Sequence, residues 1–175
     1  MSEWVIRSIP LDDYLEESAR VIRASFADVT SEFNLTEENC PASPAFETTA
    51  RLRESRKRGW HLFGIFEGAT QTGFVAVERA RAGVYYLERL SVLPAYRHGG
   101  RGKALVFFVL DYVRSRGGKV VSLGAISENR RLVDWYESLG FVAKETASFE
   151  GLPFEVVFLE IAIDQPHIPG GVDDL

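Results

Sequence analysis

The sequence predicts a single α/β domain in which a mixed, mostly antiparallel sheet of about seven strands carries helices on both faces. Strand-like and helix-like segments follow one another in the order β-α-α-β-β-β-α-β-α-β-β. The 175 residues, 46% hydrophobic and 26% charged, are ordinary for one globular domain that buries about 70% of its unfolded surface. We expect the domain to cover residues 1–163 and residues 164–175 to form a loose C-terminal tail.

The N-terminal part predicts one strand and two helices. A strand is expected over residues 4–9, where WVIRSI is rich in β-branched residues. A helix is expected over residues 11–29, because apolar residues recur there at intervals of three or four: Leu11, Leu15, Ala19, Ile22 and Phe26. After a polar, aperiodic stretch, a second helix is expected to begin at Pro44, with Ser43 as its N-cap, and to end near Gly59.

The middle of the chain predicts a meander of three strands followed by a buried helix. Residues 60–68, 72–80 and 83–93 have strand composition and are separated by the turn sequences GAT and RAG. Residues 103–116 are too densely apolar for a surface helix, which indicates a helix packed on more than one side. A glycine pair beginning at Gly117 ends it.

The C-terminal part predicts a strand, a helix and a closing strand pair. Residues 119–126 have the composition of a buried strand, and residues 128–139 predict a helix stopped by Gly140. Residues 141–149 and 154–163 predict the two closing strands.

The composition excludes several classes of partner. The formal net charge of −5 argues against a protein that binds nucleic acid or anionic membranes, since such a protein needs a basic face. No window approaches the roughly 20 apolar residues of a membrane span, and the N-terminus lacks the apolar core of a signal peptide. Cys40 is the single cysteine, so we expect neither an intramolecular disulfide nor a cysteine-based metal site. We predict a cytoplasmic protein that holds no metal.

A glycine-rich, basic loop precedes the third predicted helix. The segment AYRHGGRGKALVFF, residues 95–108, concentrates glycine and positive charge in a chain that is acidic overall. The first N–H groups of a helix have no intrahelical partner, and glycine lets a ligand approach them closely. The helix dipole and the side chains of Arg97, Arg101 and Lys103 add positive charge, so we predict a phosphate site. Neither GxxxxGK[ST] nor GxGxxG fits these residues.

The loop carries one half of a family resemblance. Arg97, Gly100 and Gly102 match the pattern [Gln/Arg]-x-x-Gly-x-[Gly/Ala]. In this the loop resembles the pyrophosphate-binding loop of the GNAT family of N-acetyltransferases, whose acyl donor is acetyl-coenzyme A. Taken alone, the pattern also suits a basic strand-to-helix turn or a phosphate-binding protein of another fold.

The segment NRRLVDWYESLGF, residues 129–141, carries the other half. It resembles the second signature of that family, with matching residues at Asn129, Tyr136, Gly140 and Phe141. Leu132 stands where the family often has alanine. The resemblance covers residues 85–141 strongly and the whole order of elements loosely.

The resemblance implies acetyl-CoA as the donor and a set of residues that bind it. The backbone of Leu90, Val92 and Leu93 would pair with the pantetheine arm and leave an amide for the thioester oxyanion. The pyrophosphate would be held mainly by main-chain N–H groups of the loop: Arg97, His98, Gly99, Gly100, Arg101, Gly102 and Lys103. Asn129 is a helix N-cap, a coenzyme contact or both, and Tyr136 also borders the coenzyme.

The same resemblance implies two catalytic side chains. Tyr136 would be the general acid that protonates the leaving thiolate, and its alternative role is that of a core aromatic. Glu88 would be the general base or its water relay, and its alternative role is that of a salt-bridged strand carboxylate. Strand alternation predicts that Glu88 shares a face with Leu90 and Val92, opposite Arg89.

These residues predict an acetyl-CoA-dependent N-acetyltransferase that transfers acetyl directly to an amine, on a small molecule or a peptide, in a ternary complex. The alternative is a non-catalytic acyl-CoA-binding sensor module. Glu150, in the turn between the closing strands, is a second candidate base. An acidic group after the first helix either favours a cationic amine or is merely solvated: Asp28, Glu32, Glu37 and Glu38. The closing strand pair is a candidate homodimer surface.

Overall fold

The structure, a computed structural model, describes residues 3–9 and 12–163, and the predicted tail lies outside the described residues. The strands are β1 (Trp4–Ser8), β2 (His61–Glu67), β3 (Thr70–Arg81), β4 (Val84–Val92), β5 (Val120–Ile126), β6 (Val142–Ser148) and β7 (Glu155–Ala162). The α-helices are α1 (Leu15–Glu32), α2 (Thr49–Lys57), α3 (Arg101–Ser115) and α4 (Arg130–Ser138). Three short 3₁₀ helices cover Asp12–Tyr14, Pro44–Phe46 and Pro94–Tyr96.

The strands form one mixed sheet in the order β1-β2-β3-β4-β5-β7-β6. Neighbouring strands run antiparallel except β4 and β5, which are parallel. The predicted α/β fold, with a mostly antiparallel sheet, is therefore confirmed.

Helices cover both faces of this sheet, as predicted. The core on one face joins the strands to α3 and α4, whose buried residues include Leu105, Val109 and Val133. The core on the other face joins the strands to α1 and α2 through residues such as Ile22 and Leu52. Among the described residues, no helix is long and apolar enough to cross a bilayer.

The second helix begins later than the sequence predicts. Ser43 caps only the 3₁₀ turn Pro44–Phe46, after which Glu47 is extended, with a ψ of 143°. The α-helix starts after Thr48, whose hydroxyl accepts a backbone N–H of its first turn. Glu47 is held in place by an ion pair with Arg89, a long-range contact that fixes the chain between the two capping residues.

A bulge in β4 reverses the predicted direction of a site residue. Two β4 residues, Arg89 and Leu90, lie opposite the single β3 residue Val75. Arg89 adopts a φ of 57°, in the left-handed region that side chains disfavour. As a result Leu87 and Leu90 both enter the core beside α3. Glu88 lies opposite Ala76 of β3, which belongs to the core beside α1, so Glu88 faces that other side of the sheet. The prediction that Glu88 shares a face with Leu90 is therefore wrong.

Strands β4 and β5 are joined over a short seam. Their register contains Val84–Val120, Tyr85–Val121 and Tyr86–Ser122. Past Tyr86 and Ser122 this pairing ends, and a cavity lies between the two strands. The sheet is thereby opened at its centre, on the side where β4 leads into the glycine loop.

Gly73 lies where β3 approaches the end of the bulge, and we expect Gly73→Ala to destabilise the protein. A Cβ there would lie 2.6 Å from the Ser91 carbonyl oxygen and 2.8 Å from Cγ2 of Ile65. Because that oxygen belongs to the backbone of the neighbouring strand, the free energy of unfolding should fall by about 1–3 kcal/mol in chemical denaturation. Gly99→Ala is the control with a smaller loss, since its Cβ meets the flexible end of Arg101 at 3.0 Å. Wild-type stability of Gly73→Ala would contradict this account.

Candidate active site

Two adjoining cavities occupy the opening in the sheet. The first, of about 560 Å³, lies between β4 and β5 and is bordered by α1 and α4; we call it the gap cavity. The second, of about 520 Å³, lies towards the turn that joins β6 to β7; we call it the aromatic cavity. The two share a wall that includes Phe26, Glu88, Arg89 and Leu123.

Glu88 lies at the junction of these cavities and lines both. Burial raises the pKa of its carboxyl group above the ordinary value, Arg89 acts in the opposite direction, and the charge of Glu78 raises the pKa further. The nearest ion-pair contact, to Nη1 of Arg89, is 3.4 Å long. A carboxylate with a raised pKa is a stronger base, which suits it to accept a proton from an amine.

Arg89 lines both cavities and is anchored by two residues that line neither, Glu47 and Trp60. Its Nε donates a hydrogen bond of 2.9 Å to Glu47, whose side chain is only 3% exposed. The guanidinium also lies 5.5 Å from the ring centroid of Trp60. These contacts hold Arg89 in its left-handed conformation at the bulge, and they thereby orient the neighbouring Glu88. Nothing in the sequence alone pairs Glu47 with Arg89, because they meet only through the tertiary fold.

Tyr136 lies across the gap cavity from β4. Its side chain is buried against Trp135 and Phe141, at centroid distances of 4.9 and 5.5 Å. Burial raises the pKa of the phenol, and the negative charge of Glu88 raises it further. The phenol therefore keeps its proton at neutral pH. The two residues predicted to be catalytic border one cavity, and the charge of Glu88 acts on the phenol of Tyr136.

Asn129 serves as the N-cap of α4 and also faces both cavities. Its Oδ1 accepts a hydrogen bond of 3.3 Å from the backbone N–H of Leu132. The N-cap role is therefore confirmed, and the side-chain NH₂ group remains the part of Asn129 suited to a ligand.

The glycine loop starts α3 earlier than predicted, at Arg101. Gly100 is its N-cap in the left-handed region, with a φ of 90° and no side-chain cap, and His98 has a φ of 62°. The Ala104 N–H donates a hydrogen bond of 2.9 Å to the Gly100 carbonyl in the first turn of the helix. The N–H groups of Arg101 and Gly102 precede it and have no partner within the helix.

The side chain of Arg97 ties this loop to α1. Its Nη1 donates to Asp28 at 2.6 Å and its Nη2 to the Ser25 carbonyl at 2.7 Å. Its Nε donates to the Val92 carbonyl at 3.2 Å. Both Arg97 and His98 line the gap cavity. The charge of Arg97 therefore lies beside the predicted phosphate site, although its hydrogen-bond donors already bind α1 and β4.

The side chain of Arg101 does not point at the predicted phosphate site, which corrects one expectation. It is buried, pairs with Glu67, and lies 4.9 and 5.1 Å from the ring centroids of Trp4 and Tyr96. A buried guanidinium requires a carboxylate partner, and Glu67 supplies it. Arg101 therefore offers the site only its main-chain N–H. The Lys103 ammonium lies 5.7 Å from the centroid of its own helix neighbour Phe107.

Three residues are predicted to pair with the pantetheine arm through their backbone. Two of them, Leu90 and Val92 of β4, line the gap cavity. The N–H of Val92 donates to the Ser25 hydroxyl at 3.1 Å. Leu93 differs from the prediction, because its N–H donates to Thr72 at 2.9 Å and its side chain packs against the core beside α1. The chain has already turned there into the 3₁₀ helix at Pro94–Tyr96.

The remaining acidic candidates divide between the cavities and the surface. Asp28 and Glu32 line the gap cavity, whereas the exposed Glu37 and Glu38 line neither cavity. Glu150 is also exposed and lines neither, although its turn contributes apolar side chains to the aromatic cavity. Among residues 3–9 and 12–163, no group of three or more His, Cys, Asp or Glu side chains is arranged to hold a metal.

No sequence motif predicts a role for the aromatic side chains around the second cavity. They come from α1, from the strands β4 and β7 and from the β6–β7 turn: Phe26, Tyr86, Phe149, Phe154 and Phe158. One signal was present, because phenylalanines flank the glycine and proline of the turn FEGLPF, where polar residues are usual.

Comparisons with known proteins agree with this architecture. Residues 26–141 match the model of the acetyltransferase (GNAT) family. The chain is 29% identical over 103 residues to mycothiol acetyltransferase of Corynebacterium glutamicum (strain R), an alignment covering 57% of this chain and 35% of that protein. The chain thus spans about a third of the length of this relative.

Solved structures share the fold at low sequence identity. The ribosomal-protein-S18-alanine N-acetyltransferase of Escherichia coli superposes with a TM-score of 0.72 and 16% identity, over 94% of this chain and 96% of that one. The PaiA N-acetyltransferase of Thermoplasma acidophilum, solved in complex with coenzyme A, gives 0.71 and 19%, over 91% and 99%. Since the family model matches more than half of the 175 residues, this chain belongs to the GNAT acetyltransferase family.

Proposed function

We propose that this protein is an acetyl-CoA-dependent N-acetyltransferase that transfers acetyl directly to an amine within a ternary complex, in the cytoplasm. One observation carries the proposal: Glu88 and Tyr136, a base with a raised pKa and a phenol that keeps its proton, border the same cavity. Membership of the GNAT family supports the reaction class.

The glycine loop and the gap cavity fit the donor. The left-handed Gly100 leaves the first turn of α3 without a side-chain cap, which suits its N–H groups to a diphosphate. Leu90 and Val92 line the cavity beside it and are suited to the pantetheine arm, although Ser25 has to release the Val92 N–H before that group pairs with a ligand. Bound acetyl-CoA supplies the acetyl thioester.

Two proton movements are assigned to this chain. Glu88 accepts a proton from the amine as nitrogen bonds to the acetyl carbon, directly or through one water. Tyr136 donates its proton to sulfur as the carbon–sulfur bond breaks and the electron pair leaves with sulfur. Return of a proton from Glu88 to Tyr136 through water restores both groups.

Positioning contributes more than proton transfer. Deprotonating an alkylammonium at neutral pH costs about 4–5 kcal/mol, whereas holding two reactants in a productive geometry contributes about 7–11 kcal/mol in favourable cases. The rigid bulge around Arg89 and the buried ring of Tyr136 serve that purpose from opposite sides of the gap cavity.

Thiol release from acetyl-CoA in the presence of a panel of primary amines tests the proposal. We expect amine-dependent release with at least one small-molecule or peptide amine. Binding of acetyl-CoA without release by any amine would favour the non-catalytic sensor. Equal binding of ADP and of CoA would instead favour a phosphate-binding protein with no use for the pantetheine arm.

Glu88→Gln should lower kcat by about 100-fold and remove the acidic limb of the pH profile of kcat/KM.

The same substitution should change how the free energy of unfolding depends on pH. Because the fold raises the pKa of Glu88, wild-type protein gains stability from this group at low pH and loses that gain as pH rises through the folded pKa. The stability of the variant relative to wild type should therefore be greater at about pH 7.5 than at about pH 4.

Glu145→Gln is the matched control, since this exposed β6 carboxylate lines neither cavity. It should retain nearly wild-type kcat. A Glu88→Gln variant with unchanged kcat at every pH would remove Glu88 from the mechanism.

A further inference from the structure

We infer that the acceptor is a small monoamine whose amino group is carried by an apolar, aromatic body, and that this body occupies the aromatic cavity. The inference rests on the proposed function and adds the substrate class. It follows from the position of that cavity, the chemistry of its wall, the charge at its base and the aromatic side chain at its mouth.

The position of the aromatic cavity suits the acceptor. It adjoins the gap cavity through a shared wall, and Glu88 lies at the junction. When the apolar body of a molecule occupies the aromatic cavity, its amino group can lie beside Glu88, next to the gap cavity. Its volume of about 520 Å³ lies within the range of small-molecule sites, about 300–1,000 Å³.

Most of the residues that line the aromatic cavity are apolar. Among its described lining residues only Glu88 and Arg89 carry charged side chains, and five others are aromatic. Phe26 on α1, Tyr86 on β4 and Phe158 on β7 approach from different elements. Burying an aromatic ring here is favourable by area alone, and ring–ring contacts add to it. A polyamine or a sugar would exchange its hydration for only a few uncharged polar side chains, namely Ser43, Tyr86, Ser122 and Asn129.

The charge at the base favours one ammonium group and disfavours a carboxylate. Arg89 is already paired with Glu47 and Glu88, so two carboxylates face one guanidinium. When Glu88 is ionised, the group as a whole is negative and attracts a single cationic nitrogen. A second cationic group would meet no further carboxylate among the lining residues of the aromatic cavity, and the carboxylate of a free amino acid would meet an occupied guanidinium.

Phe149 supplies the fourth observation. It is 46% exposed at the β6–β7 turn, although it lines the aromatic cavity and contacts Phe158 edge-to-face at a centroid distance of 6.1 Å. An exposed phenylalanine beside a cavity of this kind gains contact area when a ring enters. Phe149 is therefore assigned to the mouth of the acceptor site.

The experiment compares equilibrium binding and acetyl transfer for four amines on the full chain. Phenethylamine and tryptamine represent the inferred class, putrescine carries two cations, and phenylalanine adds a carboxylate to the same ring. Calorimetric titration in the presence of CoA measures binding, and thiol release from acetyl-CoA measures transfer. We expect phenethylamine and tryptamine to bind, and to be acetylated, at least about tenfold better than the other two. Putrescine has no ring to bury, and the carboxylate of phenylalanine would meet a guanidinium that Glu47 and Glu88 already occupy.

Phe149→Ser tests the mouth of the site, with Val142→Ser as control. Val142 is 55% exposed at the start of β6 and lines neither cavity. We expect Phe149→Ser to weaken phenethylamine binding by about three- to tenfold, with unchanged CoA binding and thermal unfolding, and Val142→Ser to change none of these. Unchanged phenethylamine binding in Phe149→Ser would overturn the assignment of this residue.

The outcomes separate the two proposals. Equal or better binding of putrescine or phenylalanine would overturn the acceptor inference while leaving N-acetyl transfer intact. Binding of phenethylamine without any thiol release would support the acceptor inference and overturn the proposed reaction. Failure of every aromatic amine to bind, together with transfer to a peptide amine, would overturn only the acceptor inference.

Discussion

Tyr136→Phe should lower kcat by about 1,000-fold while leaving the dissociation constant of acetyl-CoA nearly unchanged. The variant keeps the ring that packs against Trp135 and Phe141, so the wall of the gap cavity is preserved. It removes only the hydroxyl, whose proton is held by the raised pKa until sulfur leaves. Single-turnover kinetics with saturating acetyl-CoA measure the loss in the chemical step.

Tyr112→Phe offers a matched control on α3. Its hydroxyl is buried without a hydrogen-bond partner among the described residues, and its side chain lines neither cavity. Activity should be unchanged, and stability should be equal to wild type or higher, because an unsatisfied buried hydroxyl is removed. If Tyr136→Phe loses donor binding and turnover to the same extent, Tyr136 binds the donor and does not act as the acid.

Gly102→Asp should weaken acetyl-CoA binding by at least about 100-fold. Gly102 lies in the first turn of α3, where the helix N–H groups are directed at the proposed diphosphate site. A carboxylate placed there repels the phosphates at short range. The helix itself should persist, because an acidic side chain is favourable in a first turn. Calorimetric titration with acetyl-CoA measures the change, with thermal unfolding as the test of folding.

Gly102→Asn separates charge from bulk, since Asn and Asp have nearly the same shape. It should bind acetyl-CoA much better than Gly102→Asp does. Acetyl-pantetheine, which lacks the diphosphate, should bind Gly102→Asp and Gly102→Asn equally. An equal loss of acetyl-CoA binding in both variants would mean that the diphosphate lies away from Gly102.

The order of elements and the positions of most strands follow from local pattern alone. The strands β2, β3 and β4 are apolar runs separated by short turns, and the glycines before and after α3 mark its ends. Local pattern does not predict the backbone conformation at a position where a tertiary contact determines it. Glu47 is extended because Arg89 binds its side chain, and this delays α2 beyond the proline that suits a helix start.

The sequence motifs predict which residues border the site, but they do not predict the directions of all the side chains. Tyr136 and Glu88 border one cavity, yet the direction of Glu88 depends on a bulge that alternation of residues does not reveal. Arg101 lies in the predicted loop, but burial directs its guanidinium to Glu67. The aromatic residues of the second cavity come from α1, β4, the β6–β7 turn and β7, so the shape of that cavity is a property of the fold.

The short seam between β4 and β5 divides the sheet into a four-stranded and a three-stranded wing. Glu88 stands on the first wing, and Tyr136 follows the opening strand of the second. The core beside α3 and α4 contains residues of both wings, such as Val75 and Leu159, so the same packing that closes the sheet also holds these two groups at a fixed separation. The proton acceptor and the proton donor thus come from separately paired sets of strands, and side-chain packing across the seam sets the spacing between them.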